Sequence, residues 1–187
     1  LTLIIRPDIQ TKNTIQHFLN ELKAIDSDQY YYSNSDIHIT VMSIISCYDN
    51  FDLASISIPD YVAIIEKSLV NIRDIEINFQ GVTASPSAIM LQGFTNTNAL
   101  NDLRNNIRTQ FKDSELEQSI DKRYSIQTAH STVVRFRKPF SNKEKLLAIL
   151  EKYRDFNFGK FKVDNYYLVY NDWYQREKWV KELHRFI

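Results

Sequence analysis

Apolar positions recur along the chain with two different periods, and the period assigns the element. A first apolar strand, LTLIIR, runs into a stretch in which Ile15, Phe18, Leu19, Leu22 and Ile25 recur at helical spacing. The segment DIHITVMSI, residues Asp36 to Ile44, returns to alternation and predicts a strand. Helical spacing resumes near Tyr61–Asn71 through Ile64, Ile65 and Leu69; the strand DIEINFQGVTA, a turn at Ser85–Ser87 and the strand AIMLQGF follow. Leu100, Leu103, Ile107 and Phe111 predict another helix, YSIQTAHSTVVRF another alternating strand, and Leu146, Leu147, Leu150 and Tyr153 a helix over Asn142–Arg154. GKFKVDNYYLVY then reads as one strand, and WYQREKWVKELHRF as a closing helix capped by Asn171 or Asp172.

Both halves of the chain share one order: strand, helix, strand with histidine, helix, strand. This internal repeat predicts a duplicated α+β fold in a single two-lobed domain over residues 1–187, with repeat halves of roughly 1–87 and 88–187. Two copies of one topology, related by a pseudo-twofold axis, bring equivalent strands together over a shared cleft.

Composition narrows the function. The 187 residues are 43% hydrophobic and 13% aromatic, enough to bury a core of their own. Cys47 is the only cysteine, which excludes a disulfide framework and a Cys-rich zinc site. No apolar stretch reaches the roughly 20 residues of a membrane-spanning helix. No basic leader opens the chain, so no signal peptide is expected, and a reducing, cytoplasmic compartment fits. Gly81, Gly93 and Gly159 are the only glycines, too few for a phosphate-binding loop or a dinucleotide fingerprint. The nucleophile-elbow and H-E-x-x-H motifs are also missing.

Lys plus Arg and Asp plus Glu balance at 23 each, yet the balance is uneven along the chain. Residues 1–94 carry a net −6 and residues 95–187 a net +6. A positive lobe bearing Arg104, Arg108, Arg135 and Arg137 attracts an anionic substrate; solvated helix faces such as SNKEKLLAILEKYR account for much of the same excess.

The alternating strands hold the candidate chemistry. In a strand, His38 and Thr40 share one face while Ile37, Ile39 and Val41 share the other. The second half repeats this with His130 and Thr132, whereas His17 and His184 fall on predicted helices and match nothing. Two imidazoles suit phosphodiester chemistry, because one can accept a proton while the other donates one, and threonine hydroxyls can bind the phosphoryl oxygens. No cofactor is implied, and a metal site would have to recruit carboxylates such as Asp36. Arg135 lies five residues after His130, on the opposite face of a regular strand, and reaches a phosphate only through a bend or at the strand end. Tyr30, Tyr31 and Tyr32 precede the first motif, Arg123 with Tyr124 open the second histidine strand, and Trp173 with Tyr174 follow the last strand, placed either to stack on a base or to pack the lobes. Cys47 reads as a buried thiol.

With HIT at His38–Thr40 and HST at His130–Thr132 in a duplicated chain of this size, the sequence resembles the two-histidine (2H) phosphoesterase superfamily. HSTVVR is similar to that family's H-x-T-x-x-R, with Arg135 in the arginine position. Related cyclic phosphodiesterases often carry an aromatic five residues after the first histidine, where this chain has Ser43. The resemblance implies two lobes, each an antiparallel sheet with helices outside, and metal-independent hydrolysis or transesterification of RNA-related phosphodiesters, often 2′,3′-cyclic phosphates. The implied partner is a nucleotide or RNA end, with no membrane, and a monomer is expected. Activity on linear 2′–5′ or 3′–5′ RNA linkages, an RNA-end-binding module with vestigial catalysis, and a purely structural protein stay open as alternatives.

Overall fold

The computed structural model describes the chain except Cys47, Asp49, Asn50, Arg123, Tyr124, residues 173–175 and the side chain of Glu177. The candidate residues Tyr124, Trp173 and Tyr174 therefore lie outside the described residues, as do Cys47 and Arg123. Two antiparallel sheets are present. The first orders its strands β3 (Ile39–Ser43), β1 (Thr2–Ile5), β8 (Tyr166–Tyr170) and β9 (Lys181–Phe186). The second orders β2 (Tyr30–Tyr31), β6 (Ser131–Arg135), β5 (Ala88–Thr95), β4 (Glu76–Ser85) and β7 (Asn157–Lys162). Among the described residues no helix is long and apolar enough to cross a membrane.

Helices α1 (Ile9–Ile25), α2 (Ile58–Leu69), α3 (Ala99–Lys112) and α4 (Lys143–Lys152) cover the sheets in exchanged fashion. α1 leaves β1 of the first sheet but packs on β7 of the second and on α4, while α3 leaves β5 of the second sheet and packs on β3 of the first and on α2. Both α1 and α3 thus tie one sheet to the other. Asp8 caps α1 by accepting from the Thr11 amide at 2.7 Å, and the Ile15, Phe18, Leu19 and Leu22 stripe is fully buried. Phe18 meets Tyr153 and Phe158 at ring separations of 4.7 and 5.6 Å.

Two elements differ from the sequence expectation. GKFKVDNYYLVY is two strands in different sheets, because the chain leaves β7 at Lys162 and crosses to the first sheet before β8. The expected closing helix is a short 3-10 turn at Glu177–Trp179 followed by β9, so His184 sits on a strand. Apolar Trp179, Leu183 and Phe186 fit a helical stripe, but their segment lies beside β8, which supplies a full antiparallel ladder from Tyr166↔Phe186 to Tyr170↔Lys181. Backbone pairing decides the element where the side-chain period is ambiguous.

The charge asymmetry has a structural use. Acidic residues of the first half meet basic residues of the second at Lys138–Asp28 (2.5 Å), Lys152–Glu21 (2.7 Å) and Lys160–Glu76 (2.6 Å). These pairs are largely exposed and screened by solvent, so each stabilises little. Their effect is mutual neutralisation across the repeat.

At Gly93, β5 lies close against the segment leading to His130. A Cβ at this position would lie 1.7 Å from the Ala129 carbonyl oxygen and 2.8 Å from its carbon. Both obstacles are backbone, so neither can swing aside. Gly93→Ala is expected to destabilise the protein by about 2–3 kcal/mol or more, read by urea unfolding. An unchanged midpoint would contradict this packing.

Candidate active site

Both histidines occupy the residue just before a strand, His38 before β3 and His130 before β6. The sheets approach each other here. The Ser131 hydroxyl donates to the His38 carbonyl at 2.7 Å, so the two motifs are hydrogen-bonded neighbours although 92 residues apart. Ile37, Ile39 and Val41 are fully buried, as the alternation required.

A cavity of about 310 Å³ opens at this junction, and His38, Thr40, His130 and Thr132 all line it, together with Arg135 and Tyr32. Of the other tyrosines, Tyr30 donates to Asp36 at 3.1 Å and Tyr31 to the Asp26 carbonyl at 2.6 Å, so both hydroxyls serve the fold.

Arg135 reaches the cavity through a bulge. In the β5–β6 ladder Ile89 pairs with Val134 and Met90 with Thr132, so Val133 is skipped. The extra residue reverses the alternation and returns position +5 to the face of Thr132. The β1–β3 ladder does the same: Leu3 pairs with Met42 and Ile4 with Thr40, skipping Val41. Ser43 accordingly also lines the cavity. Serine and arginine are thus equivalent positions of the repeat with different chemistry.

Arg104 is the residue that sequence reasoning misplaced. It is only 1% exposed, so it cannot belong to an anion-attracting surface. Its Nε donates to the Val41 carbonyl at 3.0 Å, and its Nη2 to the carbonyls of Thr40 at 3.1 Å and Thr128 at 2.9 Å. One guanidinium therefore holds both histidine segments. The signal was an arginine in the apolar stripe of Leu100, Leu103, Ile107 and Phe111, where a buried arginine requires several acceptors. Arg108 also serves the fold. It binds Asp121 at 2.6 Å, Ser125 Oγ at 3.1 Å and the Ile126 carbonyl at 3.3 Å, pinning the loop that brings Ser119, Asp121 and Ile126 to the cavity.

Electrostatics separate the two rings. His38 Nδ1 lies 2.7 Å from the Asp36 carbonyl oxygen, which can only accept; Nδ1 therefore carries the proton and Nε2 is the basic atom of the neutral ring. Burial pushes His38 down to about 4, with Arg6 and Arg135 acting in the same direction against the Asp36 oxygens. His130 is also lowered, by burial and then by Arg104 and Arg135. Its Nδ1 lies 2.8 Å from Thr128 Oγ1, a hydroxyl that can accept from imidazolium or donate to the neutral ring. The Tyr32 phenol, raised by burial, accepts from Arg135 Nε at 3.1 Å. Among the described residues no group of three or more His, Cys, Asp or Glu converges as metal ligands would.

A family model described as the AKAP7 2′5′ RNA ligase-like domain matches residues 5–176. TT0787 of Thermus thermophilus shares the fold at a TM-score of 0.70 and 13% identity, over 99% of this chain and 95% of that one. The E. coli LigT structure complexed with 3′-AMP does so at 0.67 and 14% identity, with the same coverage of both chains. No curated protein sequence matches.

The depressed His38 couples folding to pH. A neutral ring is favoured in the folded state, so the associated stability is complete above the ordinary value of 6.5 and is lost as pH falls from 6.5 towards about 4. NMR titration is expected to place the His38 midpoint well below the ordinary imidazole value. In unfolding experiments His38→Gln should flatten the acid dependence across that window; an unaltered slope would refute the buried neutral ring.

Proposed function

The chain belongs to the AKAP7 2′5′ RNA ligase-like family of the 2H phosphoesterase superfamily, and we propose that it is a metal-independent phosphodiesterase opening 2′,3′-cyclic phosphates at RNA ends. The observation that carries this reading is the convergence of both His-x-Thr motifs on one cavity.

In the proposed reaction a phosphodiester sits between the rings. His38 is the base: its Nδ1 is occupied by the Asp36 carbonyl, and burial keeps the ring neutral in the free protein. His130 is the acid, because a bound phosphate anion raises its proton affinity and Thr128 Oγ1 can accept from the charged ring. Nε2 of His38 takes a proton from water as the water oxygen bonds to phosphorus. The bond from phosphorus to the 2′- or 3′-oxygen breaks, and His130 protonates that leaving oxygen. Solvent then returns each ring to its starting state. Thr40 and Thr132 hydroxyls bind the non-bridging oxygens, and the Arg135 guanidinium offsets their charge. A linear 2′–5′ linkage is the second reading, favoured by the ligase-like character of the family.

Turnover of 2′,3′-cyclic nucleotides and 2′–5′ dinucleotides in EDTA tests the proposal. Hydrolysis should persist without divalent metal, and the acid limb of kcat/KM should fall near pH 4 instead of 6.5, since that limb reports the free base. His38→Ala and His130→Ala should each lose about 10²–10⁴-fold in rate, and the double variant much less than the product of the two. Thr40→Ala and Thr132→Ala should lose roughly 10–10³-fold. Loss of activity in EDTA with recovery on adding a divalent metal would overturn the mechanism.

A further inference from the structure

A second cavity, of about 400 Å³, lies on the other side of His38. Among the described residues His38 alone lines both. The second is walled by Arg6 at the end of β1, Lys12 on the first turn of α1, Asp36, and Glu182 on β9. Its two carboxylates are engaged: Glu182 binds Arg6 at 3.0 Å, and Asp36 accepts from Tyr30 at 3.1 Å and Ser35 at 2.9 Å. Lys12 is different. It is half-buried, and no carboxylate lies within ion-pair distance of it among the described residues. A partly desolvated ammonium beside a second cation is unfavourable, and burial with Arg6 lowers its proton affinity against the weaker pull of Asp8. Two cations and two carboxylates leave the lining formally neutral, but an anion entering the cavity would give Lys12 the direct partner that Arg6 already has in Glu182.

We propose that this second cavity is a subsite for a phosphate group one ribose away from the reacting phosphorus, bound by Lys12 and Arg6. The inference rests on the reading of the first cavity as a phosphodiester site. It names the substrate as an RNA end with at least two phosphates, such as an oligonucleotide terminating in a 2′,3′-cyclic phosphate. His38 then stands between two consecutive phosphates of one strand, acting on one while the other fixes the register. A lone cyclic mononucleotide fills only the first cavity.

The test compares uridine 2′,3′-cyclic phosphate with and without a 5′-phosphate, titrated calorimetrically into His130→Ala protein so that neither probe is consumed. The 5′-phosphate should strengthen binding about tenfold at low salt, the size of a charge-assisted hydrogen bond. Adding Lys12→Met should collapse that ratio towards one, and Lys12→Arg should restore most of it. Independently of any Lys12 variant, the dimethylated Lys12 resonance of the His130→Ala protein should shift with the 5′-phosphorylated probe and not with its partner. A 5′-phosphate advantage that survives Lys12→Met, or no advantage at all, overturns the subsite. Uridine 2′,3′-cyclic phosphate left intact by the native protein overturns the hydrolase reading instead, so the two failures are distinguishable.

Discussion

The Arg104 guanidinium is the interaction on which the cleft depends. Thr40, Val41 and Thr128 each present a carbonyl to it, the first two beside His38 and the third beside His130. Only a planar group with five donors can meet acceptors on β3, on the segment before β6 and at Asn101 Oδ1, at 3.1 Å, together. Those acceptors are all neutral, so burial and Arg108 lower its own proton affinity to about 10, and its positive charge disfavours protonation of His130. One residue therefore holds the structure of the cleft and adds to the burial that lowers His130.

The bulges explain why that arginine finds partners. A bulge turns a carbonyl out of the regular ladder, and at Val41 the displaced oxygen is taken by Arg104. At Val133 the equivalent oxygen is taken by the Tyr32 amide at 3.0 Å. The same distortion thus does two things at both sites: it brings position +5 to the cavity and opens a backbone group to a partner from elsewhere in the fold. The partners differ between the repeats, and so do the +5 residues, Ser43 and Arg135. In the helices, the buried positions Thr11, Ile15, Phe18 and Leu22 of α1 correspond in spacing to Leu100, Arg104, Ile107 and Phe111 of α3. Ile15 is ordinary core where Arg104 is the staple. A symmetric frame carries asymmetric chemistry, with the two imidazoles in unlike surroundings.

Much of this was legible in the sequence, for physical reasons that can be named. Period-two alternation placed His38 and Thr40 opposite Ile37, Ile39 and Val41, and the repeat brought His130 to the same cleft. Position +5 resisted the same reasoning, since a bulge changes parity without any distinctive residue type at Val41 or Val133. The edge strand β9 was unreadable because Trp179, Leu183 and Phe186 satisfy a helical period; only β8 beside them settles the matter. The −6/+6 split suggested an attractive surface. The fold spends part of it on ion pairs between halves, and Arg104 and Arg108 on internal bonds.

If one guanidinium unites the two histidine segments, its removal must be felt in both. Urea unfolding of Arg104→Met, which keeps most of the side-chain volume while deleting every donor, measures this most directly. Three carbonyls, that of Val41 buried and those of Thr40 and Thr128 partly so, would lose a donor, and the account predicts a loss of about 3 kcal/mol or more, with Arg104→Lys recovering only part of it. A loss below about 1 kcal/mol would show that the strands hold their places without the arginine, and would contradict the account.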